Sequence, residues 1–219
     1  MESVAITFAG VSGGPDAGGR VQIVRVLKYG NLRSAAPVDR YRRGMPVKLI
    51  YETHATTVDN ETGIATGWLP GELSAAGREQ AAELGERRRG VDVVYSSDLR
   101  RAVQTARIAF GAAGEIRLDA RLRECDYGIY NGRPVSEVHA LRRRHIDTPW
   151  PGGQSYRHVV GETAAFLEDV AKLWQGRTVL VIAHSANLFA LRNLFGGIPL
   201  EELVDAPFDW QPGWEYHLA

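Results

Sequence analysis

His54 and His184 each follow a short apolar run of the kind that forms a buried strand. Val47-Lys48-Leu49-Ile50-Tyr51-Glu52-Thr53 leads into the first, and Thr178-Val179-Leu180-Val181-Ile182-Ala183 into the second. Open α/β sheets place their ligands at the carboxyl ends of parallel strands. Two imidazoles delivered to one sheet edge could share a pocket, with one acting as nucleophile. For either residue alone, a capped or core histidine is the better reading. The residues between them tip the balance. Ser97-Asp98-Leu99-Arg100-Arg101-Ala102 puts arginines in the first turn of a helix just after a strand. Free N–H groups, the helix dipole and a guanidinium would together favour an anion there, although an arginine pair by itself is an ordinary solvated surface. Glu124, in Leu122-Arg123-Glu124-Cys125-Asp126-Tyr127-Gly128, sits at a third strand-to-loop transition and could give a proton to a leaving group. On its own it reads as a loop carboxylate. Pro151-Gly152-Gly153-Gln154-Ser155 opens a helix with backbone able to line a pocket. Cys125 has no base to pair with and is read as packing.

A sheet is needed to hold these groups, and the pattern from Met45 onward supplies one. Ser74 can cap a helix running to about Arg89, with Ala81, Leu84 and Arg88 along one side. Val91-Asp92-Val93-Val94-Tyr95 reads as a strand. Leu99, Ala102, Val103, Ala106 and Phe110 then recur at helical spacing. Another amphipathic helix covers Tyr156 to Trp174, a further one follows Ser185, and Trp214-Glu215-Tyr216-His217-Leu218 reads as a terminal strand. The alternation predicts an α/β fold, a three-layer sandwich with a mostly parallel central sheet. No internal repeat interrupts it.

Residues 1–44 differ from the rest. Val4-Ala5-Ile6-Thr7-Phe8-Ala9 and Val21-Gln22-Ile23-Val24-Arg25-Val26-Leu27 flank a glycine-rich loop that lacks a Gly-Lys-Ser/Thr ending, so it is not read as a phosphate cradle. A β-hairpin or partly disordered extension to a domain of residues 45–219 is expected. Met45 directly precedes the first core strand, and an intact mass from the native host would tell whether translation starts there.

The 219 residues suffice for a single substantial core. Lys+Arg and Asp+Glu balance at 26 each, which argues against nucleic acid or an anionic membrane as the main partner. The lone Cys125 leaves no intrachain disulfide and no thiolate metal site. No apolar stretch is long enough to cross a bilayer, and no basic n-region opens the chain, so a cytoplasmic protein is expected.

Taken in order, Thr53-His54-Ala55, Asn60, Thr66-Gly67-Trp68, Ser97 to Ala102, the Glu124 segment, the glycine-rich segment at Pro151 and Ala183-His184-Ser185 resemble the histidine phosphatase superfamily, or phosphoglycerate mutase-like family. The resemblance covers Met45 to Ala219. It implies a small phosphorylated substrate and no cofactor or metal; a homodimer is left open. His54 would attack phosphorus, Arg101 and His184 would hold the equatorial oxygens, and Glu124 would protonate the leaving alcohol and then activate water. Thr53, Asn60, Thr66, Gly67 and Ser185 are assigned to substrate binding. The family's first motif is Arg-His-Gly, so Thr53 stands where an arginine is expected, Ala55 replaces the glycine, and Ser185 stands where glycine is usual. Exchanging a bidentate arginine for one hydroxyl should cost roughly 1.5–3 kcal/mol, at least tenfold in affinity or rate. Arg123, Arg133 and Arg157 are candidate substitute cations. A catalytically silent or re-specified ligand-binding relative is the alternative. A phosphomutase is a further one, resting on the similarity of Arg142-Arg143-Arg144 to the mutases' paired arginines; as an arginine run, that segment is more simply a solvated helix face. Trp68, Trp150, Trp210 and Trp214 are read either as pocket lining or as packing.

Overall fold

The computed structural model describes residues 44–111, 115–208 and 210–219, together with the backbone of two earlier strands. Those strands, β1 (Val4–Phe8) and β2 (Gln22–Val26), pair antiparallel. The glycine-rich loop between them lies outside the described residues.

Alternate residues of the central strands bury opposite faces of one sheet. The sheet contains β3 (Val47–Thr53), β5 (Val93–Ser96), β6 (Ile116–Leu118), β8 (Thr178–Ala183) and β9 (Trp214–Leu218), in the order β6-β5-β8-β3-β9. All its pairings are parallel except that of β9, which closes the edge antiparallel to β3. Val179, Val181 and Ala183 face one way, with Leu49, Tyr51, Val93 and Tyr95. They pack on Phe166, Leu167 and Val170 of α5 (Tyr156–Leu173) and on Leu188, Leu191 and Phe195 of α6 (Ser185–Gly196). Leu180 and Ile182 face the other way, with Ile50 and Val94, against Leu84 of α2 (Ala75–Arg87) and Ala102 and Ala106 of α3 (Arg100–Phe110). A strand apolar on both faces reads as a continuous hydrophobic run, which is why β3 and β8 are legible in the sequence. The fold is thus an α/β sandwich of three layers with a mostly parallel central sheet. Ser74 caps α2, accepting the Gly77 N–H at 3.1 Å.

A second apolar cluster lies above α5 and α6. Tyr127, Val138, Trp150, Tyr156 and Phe189 centre it, and Cys125 is buried within it. β4 (Ile64–Ala65), α4 (Val135–Leu141) and α7 (Leu200–Leu203) contribute to it, β7 (Arg133–Pro134) pairs antiparallel with β4, and the short helix α1 (Val58–Glu61) precedes β4. No described helix is long and apolar enough to cross a membrane.

Candidate active site

Strand register brings the two histidines together. β3 and β8 run parallel with Thr53 opposite Ala183, so the next residues, His54 and His184, leave the sheet side by side. The His54 N–H donates to the Ala183 carbonyl at 2.9 Å, and the two imidazole centroids lie 5.1 Å apart. β5 ends level with them, its Ser96 opposite Ile182, and α3 follows with Arg101 in its first turn.

The contacts of His54 settle its tautomer. Nδ1 lies 2.8 Å from the Ala55 carbonyl, which can only accept, so Nδ1 carries the proton and Nε2 keeps a lone pair. Arg101 Nε donates to that Nε2 at 3.2 Å. Burial, reinforced by the Arg101 charge, lowers the His54 pKa to about 3, so the ring is neutral at physiological pH. Burial and the same arginine also drive His184 well below the ordinary histidine range. His184 is fully buried, and its Nε2 has no hydrogen-bond partner.

Arg101 is 2% exposed and anchored by loop backbone: Nη2 donates to the Gly67 carbonyl at 2.9 Å and Nη1 to Leu69 at 3.4 Å. Gly67 has φ +54°, and a Cβ there would lie 1.8 Å from Asn131 Oδ1, so this close turn requires glycine. Glu124 is also buried. Its Oε1 accepts from the Cys125 N–H at 2.8 Å and its Oε2 from the Ser185 hydroxyl at 2.9 Å. The Ser185 side chain, where the resemblance expects none, therefore fixes the carboxylate.

His54 and Ser185 open on a cleft of about 670 Å³ that Thr53, Asn60, Arg87, Phe208 and Trp210 also line; Arg101, Glu124 and His184 are not part of its wall. Asn60 lines the cleft while its Oδ1 accepts from the Thr57 N–H (3.0 Å) in a capping box. Thr66 and Gly67 do not reach the cleft wall. The Thr66 hydroxyl donates to Asp59 at 2.8 Å, and Gly67 acts through Arg101.

Arg123, Arg133 and Arg157 do not line the cleft either. Arg123 grips Asp98 through Nε (2.7 Å) and Nη2 (2.5 Å), Arg157 pairs with Asp147 at 2.9 Å, and Arg133 lies on exposed β7. The arginines that do line it, with His54 and Ser185, are Arg142 and Arg87. Arg142 Nε is sealed from solvent without a hydrogen-bond partner, and the guanidinium faces Tyr127, Tyr156 and Glu124. Arg143, by contrast, is exposed and pairs with Asp205. The solvated-face expectation thus fails for Arg142. In the sequence, only its place in an arginine run marked it.

Of the four tryptophans that the sequence offered as pocket lining, only Trp210 lines the cleft. Trp150 is buried and stacks on His145 at 4.0 Å, and Trp214 tilts against Tyr51. Trp68 lies under Arg123 and donates its indole N–H to the Glu124 carbonyl at 2.6 Å. Among the described residues, no group of three His, Cys, Asp or Glu side chains could hold a metal ion.

Known proteins resemble this chain in sequence and fold. Residues 53–210 match the family model of the histidine phosphatase superfamily, branch 1. Phosphoserine phosphatase 1 of Hydrogenobacter thermophilus is 34% identical over 167 residues, covering 71% of this chain and 79% of the relative. A probable phosphoglycerate mutase, GpmB, of Salmonella newport is 33% identical over 157 residues, covering 67% and 73%. Among solved structures, a mycobacterial glucosyl-3-phosphoglycerate phosphatase in complex with VO3 superposes with a TM-score of 0.63 at 28% identity, covering 72% of this chain and 85% of that one. Bacillus stearothermophilus YhfR gives 0.67 at 26%, covering 76% and 88%. Relatives bearing phosphatase names support a phosphatase activity, and the match across most of the chain makes this protein a member of the histidine phosphatase superfamily.

Proposed function

We propose that this protein hydrolyses a small phosphomonoester through a phosphohistidine on His54. The observation that carries the reading is the His54 ring, a residue of the cleft wall, with Nδ1–H committed to Ala55 and the Nε2 lone pair facing Arg101 Nε at 3.2 Å. In the first half-reaction Nε2 forms a bond to phosphorus as the ester P–O bond breaks. The bonding pair leaves on the alcohol oxygen, which takes a proton from Glu124 in its carboxylic acid form, the form that the second half-reaction regenerates. In the second, Glu124 accepts a proton from water, the water oxygen attacks phosphorus, and the P–N pair returns to Nε2, releasing phosphate.

Arg101 Nε sits on Nε2, so a phosphoryl group must displace that bond, turning the guanidinium onto a phosphoryl oxygen. His184, once it holds a proton against the phosphoryl dianion, donates from its unpartnered Nε2. Arg142, which lines the cleft, supplies the cation that Thr53 lacks. Phosphoryl transfer depends chiefly on positioning and charge stabilisation of this kind.

Transfer to water is favoured over transfer to a second substrate hydroxyl because the cleft is open to solvent, its lining rings Phe208 and Trp210 remaining half exposed. The test is hydrolysis of a phosphomonoester panel with chelator present, alongside His54→Ala. Turnover that vanishes in the variant, with acid-labile phosphate trapped on His54 of the parent, is the expected result. Turnover surviving in His54→Ala would refute the mechanism.

A further inference from the structure

Part of the cleft lining has a chemical character that phosphate transfer does not explain. Phe208 is 50% exposed and Trp210 54%, although both are large apolar rings. They lie in the segment between α7 and β9, and both line the cleft that begins at His54, as does the buried ring of Phe189. The Arg87 guanidinium lies 6.0 Å from the Trp210 ring centre while its Nη2 reaches Glu52 at 3.7 Å, so the indole is backed by an anchored cation. Isolated exposed apolar side chains are unremarkable, but three aromatic rings lining the same cleft as His54 are not scattered.

Size and charge narrow what fits. A cleft of about 670 Å³ matches the range for drug-sized ligands, and a three-carbon phosphoester would leave most of it to water. Glu83 lines the same wall, so a carboxylate on the leaving group would meet a like charge there. The Arg87 charge is already shared with Glu52. A planar uncharged ring is the group these walls complement.

We propose that the substrate is a phosphomonoester whose alcohol carries an uncharged aromatic ring, which lies against Trp210 and Phe208 while the phosphate sits at His54. This rests on the phosphatase reading for the anchored end only. The test compares kcat/KM for 2-phenylethyl phosphate and ethyl phosphate, two primary alkyl esters of similar intrinsic reactivity. Burying a phenyl ring should favour the first by about tenfold or more. Trp210→Ala and Phe208→Ala should each cut that ratio about two- to tenfold, while Trp210→Phe keeps most of it.

Calorimetric binding of the inert pair 3-phenylpropylphosphonate and propylphosphonate, to parent and Trp210→Ala protein, separates this proposal from the catalytic one. Aryl preference in binding that Trp210→Ala removes, with no ester turned over, upholds the aromatic subsite and sinks the phosphatase reading. Equal turnover of both esters does the reverse. No aryl preference in binding, or none lost in the variants, overturns the proposal.

Discussion

Arg142→Gln isolates the charge assigned to phosphate binding. The guanidinium lines the cleft with Thr53, His54 and Ser185, and its Nε is buried without a partner. A charged hydrogen bond to a phosphoryl oxygen contributes about 1.5–3 kcal/mol. At about 1.36 kcal/mol per decade, its loss lowers kcat/KM roughly 10- to 150-fold. Arg143→Gln is the internal control, because that neighbour is exposed and pairs with Asp205 outside the cleft. Arg142→Lys should recover part of the rate, since the charge returns without the planar fork. The assay is steady-state hydrolysis of one phosphomonoester, with the inhibition constant of inorganic phosphate measured in parallel and thermal melts confirming that each variant is folded. Arg142→Gln should weaken phosphate inhibition by a similar factor. A rate within twofold of the parent, or an equal fall in Arg143→Gln, would show that Arg142 does not hold the phosphoryl group.

Thr53→Arg placed in the Arg142→Gln background should restore at least about tenfold in kcat/KM, because Thr53 lines the cleft next to His54 and a cation there replaces the one removed; no recovery would mean that the two positions do not serve one phosphate. His54 should show no imidazole titration between pH 5 and 8 by NMR, its pKa being lowered to about 3, and a midpoint near 6.5 would contradict the buried neutral ring. Both histidines have folded pKa values below the unfolded value of about 6.5, so the unfolded chain takes up protons first as pH falls. Stability is therefore complete above about pH 6.5 and declines toward pH 3, and His54→Asn should flatten the acid side of the melting-temperature profile. Arg88→Ala should destabilise the fold by about 3 kcal/mol in urea unfolding, because it strips the 2.7 Å partner from Glu52, which is 1% exposed at the sheet; a loss under about 1 kcal/mol would mean that Arg87, 3.7 Å from the same carboxylate, suffices.

Much of the fold could be read from local signals. β3 and β8 are apolar on both faces because helices cover both, and a run such as Val179 to Ala183 shows this without knowledge of its neighbours. Ser74 announced α2 because capping chemistry lies within three residues along the chain. Side-chain direction was not legible in the same way. Thr66 belongs to a motif that suggested ligand contact, yet its hydroxyl turns to Asp59. Arg123 and Arg157 looked available because their partners, Asp98 and Asp147, lie well away in sequence and next to them only in the fold. Phe208 and Trp210 carried no periodicity that could reveal a shared mouth.

By itself, the sequence determined which strands carry His54 and His184, since burial on both faces of a sheet constrains residue type locally and leaves a readable run. Tertiary structure alone decided that the strands end level, that Arg101 rests on Nε2 of His54, and that Arg142 rather than Arg143 turns into the cleft. The physical reason is that an arginine's stem and charge are compatible with solvent, an ion pair or a pocket alike. Only the partners that the fold brings within a few ångströms choose among them.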